Sequence, residues 1–309
     1  MSPTHETPPF VQTLHQTHYS VANALRRVLL SWVPTMAMEL IHIEENTSPL
    51  HDEFLAHRLG LVPIVSSDVV HRFRTIAEWG DAASDLDVNH PNPDPEPDLD
   101  EDSIAFTLDV ANTEDGVREV TSNDLTLDPA FPNVRPVGYS SDGSTPGIIL
   151  MRLAKGQRIR LTASLAKGVG KDHAKFQPVA TAVFQYRPVV RLNQGLLSAL
   201  SRAEKEAVAN AEPSGALAYD EEREELVVVD QGKSHTFNGE SVKKAAELGV
   251  PGLVDVQMKQ DEFIFRVEPV GQHSARMCVL LMLRETRKKF MNLRLHTQAA
   301  VRDAEMAYA

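Results

Sequence analysis

Glu53 and His57 stand four residues apart, with His51 two positions before the pair. On a helix that spacing puts a carboxylate and an imidazole on one face, where they could share a metal ion or a proton. A catalytic zinc needs three protein ligands and an open position, and no third ligand fits the pattern. A Glu–His pair on a helix surface, or a contact with a partner, is the favoured expectation. Gly168-Val-Gly-Lys171 has the glycines and the lysine of a phosphate-binding loop. Such a loop also needs a glycine five residues before its second one, and Ser or Thr after the lysine. Those places hold Leu165 and Asp172, so the glycines are read as serving a tight loop. His173, in Lys171-Asp-His-Ala-Lys, is expected to be a hydrogen-bonding loop residue rather than a base. No Ser or Cys stands in a nucleophile elbow. No catalytic residue, cofactor or metal is predicted, and an enzyme using Glu53 and His57 is the minor alternative.

The elements that hold these residues are legible in the pattern. Ser20 is a good N-cap, and Val21, Leu25, Val28, Leu29 and Trp32 follow at helical spacing. Pro34 ends that helix. Met36 to Ile43 alternates as a strand, with Met36, Met38 and Leu40 on one face. Asn46-Thr-Ser-Pro is turn chemistry. Asp52 to Leu59 reads as a short helix, with Gly60 placed to terminate it. Strands are expected at Phe10 to Tyr19 (weakly patterned), Ile104 to Val110, on both sides of a Lys155-Gly156 turn, and at Val179 to Tyr186. Further on, Leu196 to Ala211 reads as a helix, Leu226 to Asp230 as a strand, Ser241 to Leu248 as a helix ended by Gly249, and Phe263 to Val267 as a strand. Ser274 to about Ala304 reads as one long helix. Its stretch Met277-Cys-Val-Leu-Leu-Met-Leu283 is apolar all round, which calls for deep burial. Leu283, Phe290 and Leu293 continue as a stripe that needs a partner surface.

Composition narrows the class. The chain has 309 residues, 42% of them hydrophobic and 24% charged, as in a soluble globular protein of about two domains. No apolar run approaches the roughly 18 residues of a membrane span, and the first residues do not pattern as a signal peptide. Cys278 is the sole cysteine, which excludes internal disulfides and favours an intracellular compartment. Net charge is −12, and Asp81 to Asp102 hold nine acidic residues with no Lys or Arg. Without those nine the rest of the chain stands near −3. That segment, with prolines at every second position from Pro91 to Pro97, is expected to be a disordered loop. An acidic chain without a concentrated basic face is a poor nucleic-acid reader, so protein partners are expected.

Asn23-Ala-Leu-Arg-Arg-Val-Leu, Pro34-Thr-Met-Ala and Asn46-Thr-Ser-Pro-Leu-His-Asp-Glu-Phe-Leu-Ala-His-Arg-Leu-Gly-Leu-Val-Pro resemble the alpha-like subunits of cellular RNA polymerases. That family includes the bacterial alpha subunit, its archaeal counterpart and their eukaryotic relatives. The resemblance runs from about Val11 to Leu295. The long motif with Leu50-His-Asp-Glu-Phe, together with Val120-Thr-Ser-Asn-Asp-Leu, looks most like the third subunit of RNA polymerase II. Gly170-Lys-Asp-His-Ala-Lys-Phe-Gln-Pro-Val-Ala-Thr-Ala leans towards the homologous subunit shared by polymerases I and III.

The resemblance implies an α+β fold. Its dimerisation domain would be discontinuous, about 1–33 and 179–309, interrupted by a mostly β inserted domain at about 34–178. It also implies a non-catalytic, nuclear assembly subunit. Such a subunit pairs with a smaller alpha-like subunit, the eleventh in polymerase II, and forms the platform for the second-largest catalytic subunit. The small tenth and twelfth subunits pack alongside. No sequence-specific nucleic-acid contact and no membrane are implied. Carried onto this sequence, the partner-binding residues are Leu25, Arg26, Arg27, Val28, Leu29, Trp32, His51, Asp52, Glu53, His57, Arg58, Lys171, His173, Leu280, Leu283 and Phe290. Many members carry a four-cysteine zinc loop where this chain has Trp79 to Asp102. No cysteine stands there, so zinc is not expected.

Overall fold

The computed structural model describes residues 10–73, 104–229 and 239–307. The acidic segment at 81–102, and with it the expected disorder, lies outside those residues. The chain forms two compact units, one built from 25–182 and 267–309, the other from 10–24 and 183–266. Together they are mixed α+β.

The first unit is a set of small antiparallel sheets. Strand β2 (Pro34–Asn46) pairs with β8 (Arg158–Val169), which pairs in turn with β4 (Ala105–Ala111). The pairs β3 (Ile64–Val65) with β6 (Arg135–Pro136), and β5 (Arg118–Thr121) with β7 (Ile149–Leu153), complete it. Met36, Met38, Leu55, Leu59, Phe106, Leu108 and Leu161 fill the core between them. Two register slips in β2 fall between Met38 and Leu40 and between Ile43 and Glu45. The first takes Leu40 off the face of Met36 and Met38: both methionines are fully buried, while Leu40 is 72% exposed. Simple alternation therefore fails there, because a bulge puts two residues opposite one.

Turn chemistry sets up helix α2 (Asp52–Gly60). The Asn46 Oδ1 accepts from the backbone N–H and the hydroxyl of Ser48, and its Nδ2 donates to the Leu50 carbonyl and to Asp52. Gly60 does not end α2 in a left-handed turn. It lies inside the helix, which is capped by Leu61 at φ −84°. Gly60 is instead buried, where a Cβ would meet the Met38 carbonyl at 3.4 Å.

The first unit also holds the C-terminal half of α1 (Tyr19–Ser31) and the long helix α6 (Ala275–Ala307). Val28, Leu29 and Val33 from the α1 side meet Cys278, Leu281 and Met282 of α6, over Val179, Ala182 and Val267. Burial pushes the Cys278 thiol up to about 12. His273 sits just before α6 and is fully covered. Its Nε2 is 3.0 Å from the Pro34 carbonyl, and its Nδ1 is 2.9 Å from the Ser67 hydroxyl. A carbonyl can only accept, so Nε2 carries the proton and the serine donates to Nδ1. Among the described residues no helix is long and apolar enough to cross a membrane.

The second unit carries the sheet β1 (Phe10–Leu14), β12 (Val254–Pro269) and β9 (Val179–Leu192), in that order. Phe184 stacks on Phe265 and meets Phe263 edge-on, with centroids 5.3 and 5.7 Å apart. Helix α1 starts in this unit and is capped by His18, not Ser20: the His18 Nδ1 accepts from the Ser20 N–H. The expected helix at 196–211 is two helices, α3 (Gln194–Leu197) and α4 (Arg202–Asn210). Ser201 and Glu204 form a capping box, which starts a new helix at that point. Strands β10 (Leu217–Asp220) and β11 (Glu225–Val228) make a hairpin before α5 (Glu240–Glu247). The first of these strands escapes a reading by pattern, since Leu217-Ala-Tyr-Asp is too short to show a period.

Two measurements test this packing. A Cβ on Gly170 would run into the Leu30 carbonyl, a backbone atom that cannot rotate aside. Gly170→Ala is expected to cost about 1–3 kcal/mol and to lower the melting temperature, while Gly195→Ala, where a Cβ would make only an ordinary contact with the Asn193 amide oxygen at 3.4 Å and φ is not positive, leaves it within a degree or so. The second concerns pH. Burial holds the His273 imidazolium below its ordinary range, so the unfolded chain takes up that proton first as pH falls. Stability from this group is complete above the unfolded value of about 6.5 and is lost below it. The melting temperature should therefore fall from pH 7 towards pH 5, with a shallower slope in His273→Gln.

Candidate functional site

Helix α6 is the place to begin, because its own chain covers only one side of it. Of the apolar run 277–283, Cys278, Leu281 and Met282 are buried, Met277 and Val279 half-buried, and Leu280 and Leu283 about half exposed. The expectation of deep burial all round thus fails for the free chain. A single layer of neighbours reaches one flank of a helix, and the residues about 180° away stay in solvent. Beyond the run, Phe290 is 67% exposed and Leu293 61%. Phe290, Leu293, Thr297 and Val301 line one open groove along the helix. These positions recur at three and four residues, as on one helix face.

On α1 the expected partner residues divide. Val28 and Leu29 close the chain's own core, and Leu29 is fully buried. Neither side chain is open to a second chain here. Leu25 and Trp32 pack on the rim of that core and are half-buried, as is Arg26, while Arg27 is exposed. Neighbouring helix positions point about 100° apart, so a core that takes 28 and 29 leaves 27 outside.

The Trp32 indole has a cation on it from each of two elements. Lys289 Nζ of α6 lies 3.0 Å from the ring centroid, and Lys171 Nζ lies 4.6 Å from it. Lys171 is brought there by the loop after β8, whose Lys171 N–H donates to the Ser31 carbonyl at 2.9 Å. His173 behaves as the hydrogen-bonding loop residue expected, its Nδ1 accepting from the Lys175 N–H at 3.1 Å. The glycines of that loop serve close approach: a Cβ on Gly168 would enter the Phe176 ring.

A third surface lies on α2. His51, Asp52, Glu53, His57 and Arg58 are all exposed. The Arg58 guanidinium donates to the Ile149 carbonyl through Nε and one Nη, at 3.0 and 2.8 Å, which ties the helix to β7. Phe54, missed from the sequence, stands among these charges at 65% exposure. The face of α2 taken by Leu55 and Leu59 excludes position 54, and that offset was the available signal. Glu53 and His57 gain no third ligand, and among the described residues no cluster of His, Cys, Asp and Glu could hold a metal ion.

Comparisons with known proteins identify the family. The family model described as the RNA polymerase Rpb3/RpoA insert domain matches residues 41–183. The chain is 37% identical over 289 residues to DNA-directed RNA polymerases II, IV and V subunit 3 of Arabidopsis thaliana, covering 91% of this chain and 86% of that one. It is 36% identical over 283 residues to DNA-directed RNA polymerase II subunit rpb3 of Dictyostelium discoideum, covering 91% and 88%. It is 30% identical over 275 residues to DNA-directed RNA polymerases I and III subunit RPAC1 of Mus musculus, covering 82% and 70%. The chain belongs to the Rpb3-type, alpha-like family of DNA-directed RNA polymerase subunits, non-catalytic parts of the transcription machinery.

Proposed function

We propose that this chain is the third-subunit component of nuclear RNA polymerase II. In this reading it pairs with the smaller, eleventh alpha-like subunit. The pair is the platform for the second-largest catalytic subunit, with the small tenth and twelfth subunits alongside. The uncovered stripe Leu280, Leu283, Phe290 and Leu293 carries the pairing part of the proposal. Four large apolar side chains on one helix are costly in water, at about 1.5–3 kcal/mol for a fully exposed one and about half that for the half-exposed Leu280 and Leu283. Obligate partners bury such surfaces in interfaces that commonly exceed about 2,000 Å². Trp32 and Leu25 extend the same interface from α1. The charged face of α2, with Phe54 at its centre and Arg27 elsewhere on the unit, is assigned to platform contacts. An exposed aromatic ringed by polar groups has the composition of an interface hot spot. The family's zinc loop has no part in this reading, since Cys278 is the sole cysteine and lies in the core.

Polymerase II is favoured over polymerases I and III by the relatives. Two of those named for polymerase II reach 36–37% identity over 91% of the chain, against 30% over 82% for a subunit of I and III. Mass spectrometry of the complex purified through this chain tests the choice. Recovery of the two largest polymerase II subunits is expected, and recovery of those of I and III instead would overturn it.

Pull-down separates the two surfaces. Leu283→Asp and Phe290→Asp place charges where the free chain already exposes side chains, so each variant should fold and yet lose the smaller alpha-like subunit. Leu29→Asp cannot serve, because it buries an unpaired carboxylate inside the chain's own core and tests folding instead. Phe54→Ala and Arg27→Ala should keep the heterodimer and weaken capture of the second-largest subunit by at least about tenfold. Intact pairing in both α6 variants would refute the assigned face.

A further inference from the structure

From the placement of Lys171 and Lys289 on one indole we infer a binding site for a carboxylate, supplied by an acidic segment of a protein partner. Two ammonium groups from separate elements converge on Trp32, at 4.6 and 3.0 Å from its centroid. Among the described residues neither forms an ion pair with a carboxylate. The indole face attracts each cation, but it holds no charge to offset their mutual repulsion. The C-terminus of α1 adjoins, through the bond from the Lys171 N–H to the Ser31 carbonyl. It supplies about half a negative charge. Glu285, one turn before Lys289, acts on that ammonium through space. These offset part of the two ammonium charges, and Lys288 adds a third cation beside them. Desolvation and the neighbouring charges of Lys171 and Lys288 lower the Lys289 proton affinity, against the opposing pull of Glu285, as expected where cations outnumber the nearby carboxylate.

A carboxylate bound by both ammonium groups would complete the cluster with charge-assisted hydrogen bonds. A protein source is argued from the surroundings. Leu293, one turn after Lys289 on α6, is exposed and gives an acidic peptide an apolar footing that a free ion would not use. The inference rests on the polymerase-subunit reading only in taking the occupant to be a partner protein.

Trp32 itself reports the site. The chain has two tryptophans, so Trp79→Phe leaves Trp32 as the single emitter in the full-length protein. Titration with acetylated hexaglutamate should give a saturable change in Trp32 emission. Lys171→Ala or Lys289→Ala should weaken it about tenfold, the value of one charge-assisted contact. The double variant should lose it, Lys289→Arg should retain it, and Lys155→Ala, remote on a surface turn, should leave it unchanged. Inorganic phosphate and an oligothymidylate are titrated alongside. Tighter response to either, no response to the peptide, or a peptide response indifferent to both lysines would each overturn the proposal. None of these readouts depends on whether the heterodimer forms, so failure here and failure of the pairing experiment are distinguishable.

Discussion

The burial of Leu29 against Cys278, Leu281 and Met282 is the contact on which the candidate interface depends. It fixes the rotation of α6 about its own axis, and of the C-terminal half of α1 about its own. Once positions 278, 281 and 282 face inward, helical geometry commits 280, 283 and 290 to the outside. The outward apolar stripe is therefore a consequence of inward packing rather than a separate design. Changing the inner residues would turn a different set of side chains to solvent. The strongly raised Cys278 proton affinity fits this picture, since it reflects how little water reaches the seam.

That seam is anchored from two sides by polar contacts, which apolar packing alone would not orient. His273 holds the start of α6 to the Pro34 carbonyl at the head of β2 and to Ser67. Gly170 lets the loop after β8 lie directly against the end of α1, where Lys171 bonds to Ser31. Both contacts need one residue type. Only a ring with a donor and an acceptor on opposite edges spans the first, and only a residue without Cβ fits the second.

Much of this is legible in the sequence, and the gaps have specific causes. The strands at 104–110 and around the Lys155–Gly156 turn, the short helix after Asn46 and the long final helix follow from periods and turn residues that no tertiary contact overrides. Alternation misplaces Leu40, because a bulge in β2 leaves no signature in it. Residue preference points to Ser20 as the cap of α1, whereas His18 supplies the acceptor. Apolar spacing persists across Ser201 and joins two helices into one at 196–211, although Ser201 and Glu204 encode the break. The site residues divide in the same way. Periodicity identifies Leu25, Val28, Leu29 and Trp32 as a stripe, but it cannot say whether a stripe meets its own chain or another. Here the chain's own core takes 28 and 29. Lys289 carries no signal at all, since its role depends on a ring 257 positions earlier in the sequence.

The electrostatics of α6 follow from the same rotation. Arg284, Arg287, Lys288, Lys289 and Arg294 fall within eleven residues that hold one acid, Glu285, in a chain of net charge −12. Basic residues this dense would repel one another on an isolated helix. They are tolerable where Glu285 and the Trp32 ring attract some of them. An interface formed here would carry cationic side chains among its apolar ones, since Arg287 stands at helical spacing between Leu283 and Phe290. Apolar contact would supply most of the affinity, while the charges would select among partners and favour acidic ones, because a basic partner would be opposed by these cations. Fold and selectivity thus share one origin: the side of α6 that the chain keeps for itself decides both what it can bind and which charge the binding partner must bring.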